Sequence, residues 1–304
     1  MRFGIVILPQ YEWPDAVRYW RGAEQLGFDH AWTYDHLSWR SLADEPWHAT
    51  VPTLTAAAMV TERIRLGTFV ASPNFRHPVP FAKDLATLDQ ISGGRLELGL
   101  GAGGRGFDAV VLGGEQLPPR ERFDRFEAFA DSLDQLLRGE DGSEAAAASE
   151  QARGISFSNE WYTANGARMV GEPAQRPRMP FLMAANGPRG MRLAARLGQG
   201  WVTTGPDETV GEEWWAGVAA LSARMTTQLE ADGVDPASFA RSLSLDSGGQ
   251  FALESVGSFE DSVGRAAELG FTDVMVHWPR ANGIYAGSES VLEEAASRLA
   301  ALAG

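Results

Sequence analysis

Residues 64–104 read IRLGTFVASPNFRHPVPFAKDLATLDQISGGRLELGLGAGG, and this stretch sets the fold class. An apolar run from Ile64 to Val70 leads through Pro73 and Pro78 into an amphipathic stretch, Val79 to Ile91. Ser92-Gly93-Gly94 then makes a tight turn into a second apolar run, Leu96 to Leu100. Short apolar runs separated by helix-length stretches predict strand–helix–strand units of a parallel sheet. A parallel neighbour needs a crossover long enough to hold a helix.

The same alternation extends both ways. Toward the N-terminus it predicts strands over Phe3 to Leu8 and His30 to Tyr34. Helices are predicted over Trp13 to Leu26, stopped by Gly27, and over Val51 to Thr61. Toward the C-terminus, strands are predicted over Phe181–Ala184, Trp201–Thr203, Ser242–Asp246 and Asp273–His277. The helices between and around them cover Arg120–Leu137, Arg189–Leu197, Glu212–Ala231, Phe259–Leu269 and Glu289–Ala303. With no linker, repeat or charge block, this predicts one (β/α)8 TIM-barrel domain over residues 1–304. An open doubly wound sheet satisfies the same periodicity, which does not see closure. Residues 139–154, rich in Ala, Glu, Ser and Gly, predict a flexible surface insertion after the fourth helix. A small hairpin, Ile155–Phe157 with Trp161–Tyr162, is expected behind it.

Composition removes several functional classes. The 304 residues carry 26 Lys and Arg against 40 Asp and Glu, a net charge of -14, which repels nucleic acid and anionic membrane surfaces. There is no cysteine, hence no disulfide, thiolate metal site or cysteine nucleophile. Lys83 is the only lysine, so Schiff-base chemistry has one possible position. No leader and no apolar run of about 18 residues is visible, and a cytoplasmic small-molecule enzyme is expected.

In a barrel of this kind the chemistry belongs at the C-terminal ends of the strands. The second strand ends in Tyr34-Asp35-His36, with Trp39 beyond it. Either Asp35 orients His36 as an acid–base pair, or Asp35 caps a turn and His36 packs at the rim; the spacing leaves both open. The fourth strand ends in Gly99-Leu100-Gly101-Ala102-Gly103-Gly104, where backbone can approach a flat ligand closely. No ribose-binding acid follows at a dinucleotide fingerprint's spacing. The fifth ends in Ala184-Ala185-Asn186-Gly187-Pro188-Arg189, where amide donors at a helix start meet an arginine, a good place for phosphate or carboxylate. Metal is not expected, since no His-Glu-x-x-His or comparable ligand spacing occurs.

Several blocks together carry a resemblance. Leu66-Gly67-Thr68, Phe75-Arg76-His77-Pro78, Ala86-Thr87-Leu88-Asp89, Ser92-Gly93-Gly94-Arg95 and Leu98 to Gly103 resemble the luciferase-like flavin-dependent oxidoreductases. Asn186-Gly187-Pro188-Arg189, Leu193 to Arg196 and Gly200-Trp201 look like that family's phosphate-binding region. The shorter members, which use the deazaflavin coenzyme F420, are most similar. The resemblance implies a catalytic pair Asp35 and His36, and a non-prolyl cis peptide near Phe69 and Val70 supporting the ring. It implies that Ser72, Ala102 and Gly103 hold the ring system, and that Ala185, Asn186, Gly187 and Arg189 hold the tail and phosphate. Trp39, Trp47 and Trp278 are expected to wall the substrate pocket. Some relatives place a proton-donating glutamate where this chain has Gly104.

The resulting expectation is hydride transfer between F420 and a small organic substrate, in a homodimer. The alternative is an FMN-dependent monooxygenase served by a separate flavin reductase. A catalytically silent flavin-binding barrel is the third reading.

Overall fold

The computed structural model describes residues 1–139 and 154–303. Its first half runs β1 (Arg2–Val6), α1 (Trp13–Gln25), β2 (His30–Thr33), α2 (Thr50–Val60), β3 (Arg65–Ala71), α3 (Pro78–Ile91) and β4 (Leu96–Leu100). Then come α4 (Phe107–Val110), α5 (Pro119–Arg138), β5 (Ile155–Ser158), β6 (Thr163–Ala167), β7 (Phe181–Ala184), α6 (Pro188–Leu197) and β8 (Gly200–Thr203). The chain finishes with α7 (Gly211–Ala231), β9 (Ala240–Ser244), α8 (Val256–Glu268), β10 (Asp273–His277), α9 (Glu289–Ala296) and α10 (Leu299–Leu302).

Eight of these strands close into a barrel in the order β1-β10-β9-β8-β7-β4-β3-β2. Closure rests on β1, which pairs in parallel with β10 (Val6 opposite His277) and with β2 (Val6 opposite Trp32). The open-sheet alternative is thereby excluded.

Three boundaries depart from expectation. Asn159 accepts the amides of Trp161 and Tyr162 at 2.9 and 2.8 Å, so these residues form the hairpin turn and the returning strand starts at Thr163. The Ser297 hydroxyl donates to the Glu294 carbonyl at 2.6 Å, competing with the backbone ladder where the expected last helix divides into α9 and α10. The seventh barrel strand ends at Ser244, and Leu245–Ser247 forms a 3-10 turn. The expected insertion lies, apart from its end residues, outside the described residues.

Strand side chains alternate between two cores. Phe3, Ile5, Ala31, Leu66, Phe181, Trp201 and Val274 face the helices, while Val6, Trp32, Phe69, Leu182, Val202 and Met275 fill the barrel. Glycine makes room for the interior Trp32: a Cβ on Gly67 would lie 2.2 Å from its ring. The indole donates to His30 at 2.6 Å, and His30 in turn meets Asp273 at 3.2 Å. Arg2 closes this buried cluster at the N-terminal end of the barrel, 2.6 Å from Asp273.

The Ser92-Gly93-Gly94-Arg95 block is structural. The Arg95 guanidinium donates to the carbonyls of Ala58, Thr61 and Ile64 at 2.8 to 3.1 Å, meeting the unpaired end of α2. From the other side the Glu24 carboxylate accepts the amides of Glu62, Arg63 and Ile64. One turn between α2 and β3 is thus held by both signs of charge.

Candidate active site at the barrel mouth

A cavity of 910 Å³ opens where the strands end. That is at the upper end of ordinary ligand pockets, roughly 300–1,000 Å³, and suits a cofactor together with a small substrate. Tyr34 and His36 reach it from β2, Phe69, Val70 and Ser72 from β3, and Gly101 to Gly104 from β4. Ala184, Ala185 and Asn186 come from β7, and Asp246 and Tyr285 from the segments after β9 and β10.

One wall is aromatic. The Tyr34 ring stacks toward Phe69 with centroids 6.1 Å apart and packs against Trp39 at 5.2 Å. Trp47 stands behind, nearly parallel to Trp39 at 6.2 Å, its indole nitrogen buried without a hydrogen-bond partner. The floor is apolar, made by Val70, Ala102, Ala184 and Val202. The Phe69–Val70 peptide bond is cis.

The β4 loop is set by Asn74, whose amide oxygen accepts from Arg125 at 2.5 Å and whose nitrogen donates to the Gly104 carbonyl at 3.3 Å. Gly103 has φ +76, and a Cβ there would lie 2.7 Å from the Asn74 amide. Gly101 would place a Cβ 2.8 Å from Val70. A side chain at Gly101 would collide with Val70 and one at Gly103 with Asn74, so glycine keeps the backbone close to both. Asn186 is fixed by accepting from Thr203 at 2.7 Å and donating to the Gly205 carbonyl at 2.8 Å.

His36 is about a third exposed, at the rim, and its Nδ1 lies 2.5 Å from Asp108 Oδ2. The other oxygen of Asp108 accepts the Leu37 amide at 2.9 Å, so the carboxylate grips both ring and backbone. This commits Nδ1 and leaves Nε2 for a ligand. The carboxylate that orients His36 is therefore Asp108, on α4, and not Asp35. Asp35 is buried beneath, paired with Arg76 through Nε at 2.8 Å and a second nitrogen at 2.5 Å.

Other expected residues fall outside the cavity. Trp278 lies in the outer core, edge-on to Tyr19 at 5.2 Å, with its indole donating to Glu289 at 3.1 Å. Gly187 is the N-cap of α6, and a Cβ there would meet open space. The Arg189 guanidinium packs on the Phe123 ring at 4.2 Å and pairs with Asp124 and Glu127 of α5. Acidic neighbours draw it away from the α6 N-terminus. Trp47 supports the aromatic wall from behind. The remaining expected site residues, Phe69, Val70, Ser72, Ala102, Gly103, Ala185, Asn186, His36 and Trp39, share the one cavity.

The structure adds Asp108, Arg76 and Tyr285. Asp108 belongs to a four-residue helix inside a stretch without periodicity, and Tyr285 to an irregular loop, so neither carried a sequence signal. Among the described residues, the non-glycine positions with positive φ are Arg40 (39), Glu208 (60) and Tyr285 (60), and all three line this cavity. Also among the described residues, no cluster of three or more His, Asp or Glu could hold a metal ion, and no helix is long and apolar enough to cross a membrane.

The family described as luciferase-like monooxygenase matches residues 1–247. The chain is 33% identical over 190 residues to an F420-dependent glucose-6-phosphate dehydrogenase of Microbacterium testaceum, covering 60% of this chain and 50% of that one. It is 31% identical to an F420-dependent hydroxymycolic acid dehydrogenase of Mycobacterium tuberculosis over 92% of this chain and 70% of the other. The chain thus spans about half the length of the glucose-6-phosphate dehydrogenases it matches. A solved structure of an F420-dependent secondary alcohol dehydrogenase, in complex with an F420–acetone adduct, superposes with TM-score 0.74 at 17% identity. The match covers 91% of this chain and 92% of that chain, a likeness of fold.

Proposed function

The chain belongs to the luciferase-like monooxygenase family, and from that premise we propose an oxidoreductase that binds F420 in the barrel-mouth cavity and acts on a small organic substrate. The observation that carries this reading is the sharing of one cavity by an apolar, glycine-edged floor and a carboxylate-held imidazole. F420 is favoured over FMN because several relatives at 31–34% identity carry it in their names.

The residues fit a planar ring. Val70, Ala102 and Ala184 offer a floor without polar side chains, and Gly101 and Gly103 let the β4 backbone lie close against Val70 and Asn74 at the cavity edge. Phe69, Val70, Ser72, Ala102 and Gly103 would hold the ring, with Ala185 and Asn186 toward its tail. When bound, the deazaflavin supplies two-electron hydride chemistry, and the protein supplies placement and electrostatics. On the substrate side, Asp108 holds the His36 ring by Nδ1 and turns Nε2 to the cavity, where the imidazolium form would donate to a substrate oxygen and stabilise the charge that builds there. Tyr34 and Trp39 exclude water from that wall.

Equilibrium binding to F420 and, separately, to FMN, read by fluorescence quenching, tests the assignment. F420 is expected to bind at least tenfold more tightly, a difference of about 1.4 kcal/mol. Preference for FMN would replace the reading with an oxygen-using monooxygenase supplied by a flavin reductase. Failure to bind either would leave the silent-barrel reading.

A further inference from the structure

A second histidine–carboxylate pair borders the same cavity and has no part in the function proposed above. Asp246 and His277 have fully buried side chains at the ends of β9 and β10. Asp246 Oδ2 accepts both the backbone amide of His277, at 2.7 Å, and its Nδ1, at 2.8 Å. Its Oδ1 accepts the Ala252 amide at 2.8 Å. A carboxylate accepts hydrogen bonds only, so Nδ1 carries the hydrogen, and in the neutral form of the ring Nε2 presents a lone pair. The Tyr34 hydroxyl lies 2.8 Å from Nε2 and 3.0 Å from the Tyr285 hydroxyl.

The donors now have one consistent direction. Tyr34 donates to Nε2, Tyr285 donates to Tyr34, and the Tyr285 oxygen keeps lone pairs for whatever occupies the cavity it lines. Burial pushes the Tyr285 phenol up to about 12 and Tyr34 well above its usual range, so both hydroxyls keep their protons at neutral pH. The arrangement is costly. A buried ion-forming pair carries a desolvation penalty that apolar side chains of similar volume avoid. Tyr285 also holds φ +60, a left-handed conformation that costs a non-glycine residue roughly 1–2 kcal/mol. Its ring stacks on His277 at 3.6 Å between centroids, 8° from parallel.

We propose that Tyr285, Tyr34, His277 and Asp246 form a proton relay that exchanges a proton with the oxygen of an alcohol or carbonyl substrate. When an alcohol is oxidised, its carbon loses a hydride to the bound deazaflavin and its O–H bond breaks toward Tyr285. Tyr285 passes its own proton to Tyr34, and Tyr34 passes its proton to His277 Nε2. The imidazolium so formed is held by Asp246. Carbonyl reduction runs the same transfers in reverse, the carbonyl carbon gaining the hydride and its oxygen the proton. Tyr285 touches the substrate; His277 and Asp246 act through the two phenols. The relay supplies the proton that a side chain at Gly104 does not, and leaves His36 to stabilise charge.

This inference rests on the F420 reading, so F420 binding is measured first on every variant by fluorescence quenching. Turnover is then followed with F420 against a panel of small secondary alcohols, and with reduced F420 against the matching ketones, from pH 5 to 9. Tyr285→Phe and Tyr34→Phe are expected to bind F420 like the wild type and to lose about 10²-fold in kcat, the range of general acid–base catalysis. Wild-type oxidation should fall off toward low pH and reduction toward high pH. That limb should persist in His36→Ala and flatten in Tyr285→Phe and His277→Gln. Asp246, Tyr34 and Tyr285 surround His277, and Arg40 and His36 face the two phenols; each is retained in at least one of these variants. Imidazole ¹⁵N spectra of the wild type give a readout free of substrate, with hydrogen expected on Nδ1 and Nε2 bare.

Wild-type kcat and pH limb in Tyr285→Phe would overturn the relay, as would hydrogen found on Nε2 alone. Tight F420 binding without turnover of any alcohol or ketone would also overturn it while leaving the cofactor assignment standing. Absent F420 binding would instead overturn the cofactor assignment, and the imidazole spectra would still decide the direction of the hydrogen bonds.

Discussion

His36→Ala is expected to lower kcat about 10³-fold while leaving F420 affinity within about twofold, since a preorganised donor to developing charge contributes about 10²–10³ and orientation adds to it. The split follows from placement. His36 stands at the rim, beyond the floor proposed for the ring, and its Nδ1 is spent on Asp108. Asp108→Asn should give a smaller loss, about 10–10²-fold, because the ring keeps a hydrogen-bond partner but loses the charge that fixes its tautomer. Both variants should melt close to the wild type. Stopped-flow records of coenzyme oxidation or reduction measure the effect, and near wild-type rates in His36→Ala would remove this residue from the mechanism.

Asp35→Ala is expected to act on stability, costing about 3 kcal/mol, because it strands the Arg76 guanidinium, whose side chain is only 13% exposed. Arg76 is also packed 4.1 Å over the Phe81 ring, so it has little freedom to swing into water. Replacing both partners with apolar residues, as in Asp35→Leu/Arg76→Met, should recover much of the loss. Urea unfolding measures the difference. If Asp35→Ala kept its unfolding midpoint and lost turnover instead, Asp35 would have to act on His36 after all.

The contrast between Asp35 and Asp108 shows what the sequence does and does not reveal. Apolar runs and helix-length spacers marked the eight barrel strands within a few residues, because burial on both faces leaves a dense local signal. Closure is a pairing of β1 with β10, some 270 positions apart, and no window contains it. Adjacency along the chain misled in a systematic way. Successive side chains of an extended segment point to opposite sides, so Tyr34 and His36 share the cavity while Asp35 turns into the outer packing. The same parity puts His277 inside and Trp278 in the outer core. Applied at the strand ends, that rule would have rejected Asp35 and Trp278 and drawn Asp246 and His277 together. It gives no help with Asp108 or Tyr285, which lie on segments without a repeat, nor with Arg189, whose acidic partners sit on α5.

The left-handed backbone at Arg40, Glu208 and Tyr285 carries a consequence for adaptation. Glycine at any of these positions relieves roughly 1 kcal/mol of steric cost in the folded chain, partly offset by a more flexible unfolded one. Each such exchange also deletes a side chain from the cavity wall. Selection for heat resistance alone would therefore drift toward glycine or asparagine at these three sites, and selection for turnover would drift back. Lineages of this barrel kept under heat should show the trade at these positions before they show it in the packed helices.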